Sequence, residues 1–529
     1  MPFFMAMIKQ LQIIPIADPS FIQEVRKVAL PFEGNHWPLE TTLSALRSAP
    51  WGATTAIFEY DYVDRDYQDE FSAFYSKAFK SYPARCVRLH FFSCAISPRI
   101  RQNFGRFSNH YLGFIVLRPT DLQRMGRTVL VPPIGDPDRE FIHCKAAFDS
   151  HLLGEAFCID GMPFVQQDTQ VGACAQASLW MVARYMARHF GHREFLPSEI
   201  NHLAKAKSAH GRAFPAEFGL TVTQMLDALE GMGFFAWGQF REGLGPCSPH
   251  IERAFPIDPQ ASEADRKIQE HRQLTAKLAD ITYRYIESGL PVILATNNHA
   301  LVAIGHTYDP GAGGSVAIQR IPEWIVHNDN TGPYIRMPLF TEPPGLLSFN
   351  QVRSIIAVVP REVTLRGEEA EAMSVQSIEE LLAQNTGNPT LPTWRDIFKA
   401  ARPDLADCMD QLEYRTFLAS SVAFQASLRR DVKSRRFHRG LGDEILRLDF
   451  PRYIWITEIS SPRLLNHADR SQRLCLGRAI VDSTAPAKTR GQMVIHFMDC
   501  VQFLDRQGKE PGKSKIVHQS TPFGHKVTA

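Results

Sequence analysis

The sequence predicts an α+β protein assembled from three α+β units. The chain has 529 residues, and at roughly 150 residues per domain that length divides into about three cores. Its central part runs through helical patterns first and strand patterns afterward, the order of a helical layer packed on an antiparallel sheet. Hydrophobic residues make up 44% and charged residues 22%, which is ordinary globular usage and excludes wholesale disorder.

The first unit is residues 1–150. It opens on MPFFMAMIKQLQIIPIAD, which is apolar but lacks a basic lead and a small-residue cleavage site, and Lys9 and Gln10 break it early. A buried strand or helix is expected there, not a signal peptide. DRDYQDEFSAFYSKAFK (64–80) sets Phe71, Phe74 and Phe79 near helical spacing. RCVRLHFFS (85–93), HYLGFIVLRP (110–119) and GRTVLVPP (126–133) are β-branched or aromatic runs between turn residues and read as strands. No catalytic constellation is visible in this part.

The second unit is residues 151–365. GACAQASLWMVARYMARHF (172–190) carries Leu179, Val182, Met186 and Phe190 three and four apart, an amphipathic helix. Shorter helices follow at 196–207, with Ser198 as N-cap, and at 220–233, stopped at Gly231. A longer one runs over 262–289 and ends at Gly289. Strands come next: PVILAT (291–296), HALVAIGHTY (299–308), EWIVHND (323–329) and RSIIAVVP (353–360). Asp309-Pro310-Gly311 with Gly313 and Gly314 makes a hairpin connection, and without a GK[ST] ending it is no phosphate loop.

Residues 366–390 are expected as a linker with a helical centre, and 391–529 as the third unit. That unit has a helical stretch around 395–437, then strands at 453–460, 478–484 and 491–499, and a polar, mobile tail from about 506.

Charge and cysteine usage narrow the partners. Lys+Arg 58 against Asp+Glu 56 leaves a net +2, which supplies no global attraction to nucleic acid or anionic membrane. The basic run LRRDVKSRRFHRG (Arg429, Arg430, Lys433, Arg435, Arg436, His438 and Arg439) reads first as a solvated helix face or docking surface, not a nucleic-acid site. No run approaches the roughly 20 apolar residues that span a bilayer. The nine cysteines are dispersed without a CxxC pair, which argues against a zinc ribbon or disulfide framework and for a reducing, cytoplasmic location. His189, His192, His202 and His210 follow no tight metal pattern. No metal or cofactor is expected.

Chemistry concentrates at three points. Cys174 stands at the start of the first central helix, where the helix dipole and free N–H groups are expected to lower a thiol's pKa. His299 begins the apolar strand in NNHALVAIGH, and Asp329 ends the next strand in HNDNTGPY. Thiolate, imidazole and acid in that order supply a nucleophile, a base and an orienting group. FVQQDTQVGAC places Gln166, Gln167 and Gln170 ahead of the cysteine. A side-chain amide there, with the Cys174 N–H, would form an oxyanion hole. Taken singly these features are ordinary: a lone buried cysteine is usually a small hydrophobe, and Asn-Asp-Asn-Thr-Gly is a common turn.

Together, QQDTQVGACAQASLWMVARYM, NNHALVAIGH and VHNDNTGPY resemble the papain-like superfamily, and within it the C39-like cysteine peptidases. The resemblance covers about two-fifths of the chain, roughly 155–360. It implies a central papain-like fold with Cys174 as nucleophile, His299 as general base and acid, and Asp329 as orienting acid. The family's oxyanion Gln usually lies six residues before the cysteine, where this chain has Asp168; Gln167 is taken for that role, with Gln166 and Gln170 open. The family's Asp-Pro is here Asp329-Asn330, which leaves Asn328 or Asn330 open as an Asn-type third member. Substitution of Asp329 is nonetheless expected to cost more turnover than substitution of either asparagine. The implied activity is hydrolysis of a peptide, isopeptide or amide bond in a protein or peptide substrate, with partners docking on the flanking units. Transglutaminase-like transfer or deamidation shares the same thioester, and a non-catalytic papain-like scaffold is the third reading.

Overall fold

The computed structural model describes residues 11–29, 37–100, 102–121, 125–167, 173–205, 219–244, 249–385, 392–434, 437, 439–465, 474–485, 491–497, 500–503, 512–516 and 525–526. Its architecture is α+β with antiparallel sheets. Contacts divide the chain into two compact units, each discontinuous in sequence. One comprises Met1–Glu242, Gly289–Thr307 and Glu323–Val358, the other Gly243–Ser288, Tyr308–Pro322 and Val359–Ala529.

The first compact unit contains β1 (Leu11–Pro15), α1 (Pro19–Ala29), α2 (Trp37–Arg47), β2 (Thr55–Tyr62), α3 (Arg65–Ala73), β3 (Cys86–Phe92), β4 (Tyr111–Leu117), β5 (Met125–Leu130), β6 (Glu140–Ile142), β7 (Ala146–Leu152) and β8 (Glu155–Phe164). It continues with α4 (Cys174–Phe190), α5 (Pro197–Leu203), α6 (Val222–Gly231), β9 (Phe234–Phe240), β10 (Val292–Ala295), β11 (Ala300–Thr307), β12 (Glu323–Asn328), β13 (Gly332–Pro338) and β14 (Ser354–Pro360). Two sheets result, ordered β1-β2-β3-β4-β5-β8-β7 and β13-β12-β11-β10-β14-β9, with β6 paired to β11. The close approach of β6 is possible because residue 305 is glycine: a Cβ there would meet the Phe141 carbonyl oxygen at 2.2 Å.

The expected boundary at 150/151 therefore falls inside the β7–β8 hairpin, whose ladder runs from Ala146↔Gly161 to Leu152↔Glu155. Strand runs far apart in sequence share one sheet, and composition along the chain does not mark such a pairing. The 64–80 helix is also shorter than expected. Asp64 caps it by accepting the Asp66 and Tyr67 N–H groups, and the regular helix ends at Ala73.

The second compact unit opens with α7 (Pro249–Ala254) and α8 (Glu263–Glu287). These belong with the C-terminal half although the sequence sets them among the central helices. Next come α9 (Gly367–Ala383), α10 (Trp394–Ala401), β15 (Glu413–Ser420), α11 (Ser421–Lys433), α12 (Arg439–Leu446), β16 (Tyr453–Ser460), β17 (Leu474–Cys475), β18 (Gly477–Asp482), β19 (Gln492–Phe497), β20 (Cys500–Phe503), β21 (Gly512–Ile516) and β22 (His525–Lys526). The sheet order is β15-β16-β18-β19-β20-β21, with β17 paired to β22.

The segment 366–390 is a correction. Its α9 is a packed helix, with Ile378, Leu381 and Leu382 buried against Ile459, Ala479 and Ile495 of the sheet. Glutamate, glutamine and serine interrupt the apolar stripe of GEEAEAMSVQSIEELLAQ, although Glu368 accepts from Tyr285 and Glu371 pairs with the buried Arg284, so composition alone suggests a linker. The polar tail likewise contributes β21 and β22. Arg435, Arg436 and His438 of the basic run lie outside the described residues.

No helix among the described residues is long and apolar enough to cross a membrane.

Candidate active site

The site starts from α4. Every residue from Ala175 to Ala187 is buried, as suits a helix packed on both sides, here by β11 and by β7 with β8. The helix begins at Cys174 because Ala173 is extended (ψ −178°) and Gln176 folds back to accept the Ala173 N–H at 3.0 Å. It ends at Gly191, which adopts φ +74° and closes the last turn. Arg184, in its interior, is 3% exposed and is paired with Asp66 and Glu194.

Cys174 is thereby presented at a helix N-terminus beside the start of β11. The backbone N–H groups of Ala300, Ala175 and Cys174 itself favour its thiolate, as expected for that position. They are outweighed. Burial pushes the Cys174 thiol up, and the negative charge of Asp329 pushes the same way. The expected lowering of the thiol pKa is therefore corrected: desolvation and a nearby carboxylate dominate the helix end.

His299 lies just before β11 and faces the β12–β13 turn. Its Nε2 is 2.9 Å from Asn328 Oδ1 and 3.4 Å from Asp329 Oδ1. The orientation of the Asn328 amide follows from a second contact, because the Asn330 backbone N–H donates to the same Oδ1 at 3.0 Å. An oxygen at that position can only accept, so Nε2 carries the imidazole proton and Nδ1 keeps its lone pair. Nδ1 is 3.4 Å from Asn330 Nδ2. Burial holds the imidazole below its ordinary pKa, partly offset by the bond to Asn328. The resting pair is therefore a thiol and a neutral imidazole. Among the described residues no hydrogen bond joins them, although both sit at the same end of β11.

Asp329 is 1% exposed. Burial pushes its carboxyl up to about 7, while its own N–H and that of Gln167 favour the charged form. Neither oxygen has a well-formed hydrogen bond among the described residues. The hydrogen bond expected from Asp329 to His299 is made instead by Asn328, one residue earlier. Asp329 stands by as a buried carboxyl near both Cys174 and the imidazole.

The glutamines separate into different roles. Gln167 Nε2 donates to Asn330 Oδ1 at 2.9 Å, so in this structure one of its two amide protons holds the turn. Gln166 is 3% exposed and tied to β5, with its Oε1 accepting the Met125 N–H at 3.2 Å. Asp168 and Gln170 lie outside the described residues. Gln176 was not singled out by sequence. Its Nε2 is buried without a partner among the described residues, and it lines the same cavity as Gln167 and Ala173. Its signal was present all the same, since Gln at the third helical position is half of a capping box.

The arrangement brings Cys174, His299, Asp329, Gln167, Asn328 and Asn330 to one place. It holds a nucleophile, an imidazole with a fixed tautomer, and amide donors near the helix start, which is the equipment for acyl transfer through a thioester. No protein-family model matches the chain, and no curated protein matches it.

Proposed function

We propose that the chain is a papain-like cysteine hydrolase of the C39-like kind, cleaving a peptide, isopeptide or amide bond in a protein or peptide. The observation that carries this reading is the imidazole of His299, fixed by Asn328 at 2.9 Å and set beside a cysteine at a helix start. Nδ1 takes the Cys174 proton as the sulfur attacks the carbonyl carbon. The Cys174 N–H and a glutamine amide stabilise the oxyanion; the second proton of Gln167 Nε2 is the donor at hand. The imidazolium protonates the departing amine, then takes a proton from water as that water attacks the thioester. Asn328 is the orienting partner of the imidazole, and Asp329 sets the local charge.

The free thiols at Cys86, Cys94, Cys144, Cys158, Cys408 and Cys475 support a reducing, cytoplasmic setting. A second reading, a non-catalytic papain-like scaffold, is favoured by the raised thiol and by the missing Cys174–His299 hydrogen bond.

Incubation with a complex peptide mixture, with and without an added primary amine, tests the proposal by mass spectrometry. Cleaved or amine-modified peptides that vanish with Cys174→Ala and with His299→Ala are expected. Peptides left intact by the wild type in both conditions contradict it and leave the scaffold.

A further inference from the structure

We infer that Arg118 is a positioning residue for this site, holding the Gln166–Gln167 strap that braces the imidazole turn. The inference rests on the proposed reading of Cys174 and His299. It assigns a role in the site to a residue from the part of the chain that the sequence marks as accessory.

Arg118 follows β4 and is 3% exposed. Its Nη1 donates to both carboxylate oxygens of Glu70, on α3, at 3.1 and 3.0 Å. Its Nη2 donates to the Gln166 carbonyl oxygen at 2.8 Å. Gln166 lies just beyond the end of β8, against the first residue of β5. Its N–H reaches the Met125 carbonyl oxygen at 2.9 Å, and its side-chain oxygen accepts the Met125 N–H. Without Arg118 the carbonyl would lose its charged donor in a buried place. The neighbouring Gly126 leaves room for this arrangement: a Cβ there would come within 3.0 Å of the Arg118 Cγ.

Gln167 leaves this clamp and donates to Asn330 Oδ1 at 2.9 Å, and Asn330 Nδ2 lies 3.4 Å from His299 Nδ1. The links from Glu70 through Arg118, Gln166, Gln167 and Asn330 to the imidazole are each direct contacts or adjacent residues. Release of the strap moves Gln167, and with it the group beside the nitrogen that must accept the thiol proton. A displacement near 1 Å at such a point can cost about a hundredfold in rate.

The test separates positioning from stability. Arg118→Met with Glu70→Met removes both charges at similar volume, so no buried charge is stranded. The readout is the rate of iodoacetamide labelling at Cys174 across pH, mapped by peptide mass, with thermal melting alongside. The expected result is a loss of about tenfold or more in the His299-dependent part of that rate, with melting and the other cysteines near wild type. A wild-type rate and pH profile at Cys174 overturn the inference. If the double variant loses its melting transition, Arg118→Lys decides, since one ammonium keeps the charge but cannot span both partners. A several-fold loss supports the clamp, and an unchanged profile overturns it. His299→Ala runs as the control: wild-type labelling indifferent to that change removes the reading of the pair itself, and the positioning role with it.

Discussion

Asn328 and Asp329 illustrate how far residue type alone carries an assignment. The sequence shows an acid at the end of the strand that follows the histidine strand, and chemistry favours an acid as orienting group. The backbone decides otherwise. The turn after β12 uses the Asn328 side chain as an acceptor for the Asn330 N–H, which aims the same oxygen at His299 Nε2. Asn328→Ala should therefore lower turnover by roughly two orders of magnitude, the scale of a catalytic group left misplaced, and by more than Asp329→Ala. The opposite order in steady-state kinetics returns the orienting role to the acid. Asp329 makes a different prediction. Its charge opposes the Cys174 thiolate, so Asp329→Asn should shift the alkylation profile of Cys174 to lower pH. The same substitution alters stability in a set direction. The folded carboxyl keeps its proton up to about pH 7, whereas an unfolded one loses it near pH 4. Between those values the folded chain binds the extra proton, so this group's contribution is full below about pH 4 and is lost as pH rises through about 7. The Asp329→Asn variant should melt above the wild type at pH 8, with the gap shrinking toward pH 4. A gap independent of pH contradicts the buried carboxyl.

Elements were legible where periodicity is strong. Leu179, Val182 and Met186 mark α4 in the sequence, and the helix does run from Cys174 to Phe190. The β-branched run ALVAIGHT is likewise β11, buried along its whole length. Helix α9 was legible only at its centre. Its apolar residues are separated by glutamate, glutamine and serine, and nothing local says that a sheet waits to cover Ile378 and Leu382. Both side chains are 0% exposed. Ile378→Ala should cost about 2–5 kcal/mol, read by chemical denaturation. A change within about 0.5 kcal/mol, typical of surface positions, would restore the linker.

At the scale of the whole molecule the α+β class was readable, but the partition into units was not. Antiparallel sheets join Thr128 to Phe164 and Gly305 to Ile142, pairings that no run of composition announces. Each compact unit is assembled from three separate stretches of chain. A fragment covering 151–365, natural from the sequence, lacks β1 to β6 and nearly all of β7, and so strips β8 of both its partners, β5 and β7, and β11 of β6. Circular dichroism of that fragment should show no cooperative melting transition. A sharp transition near that of the full chain contradicts the shared sheet. Gln166 belongs to the same lesson, since what holds it comes from Arg118 and Met125, far upstream in sequence.

The most direct test of the Cys174–His299 pair is iodoacetamide labelling of the native full-length protein across pH, with peptide mass mapping of each cysteine. Cys174 should label with an apparent pKa above the ordinary thiol range, and its rate at neutral pH should fall sharply in His299→Ala. The rates at the remaining cysteines should not change. A Cys174 rate identical in wild type and His299→Ala would contradict a working Cys174–His299 pair.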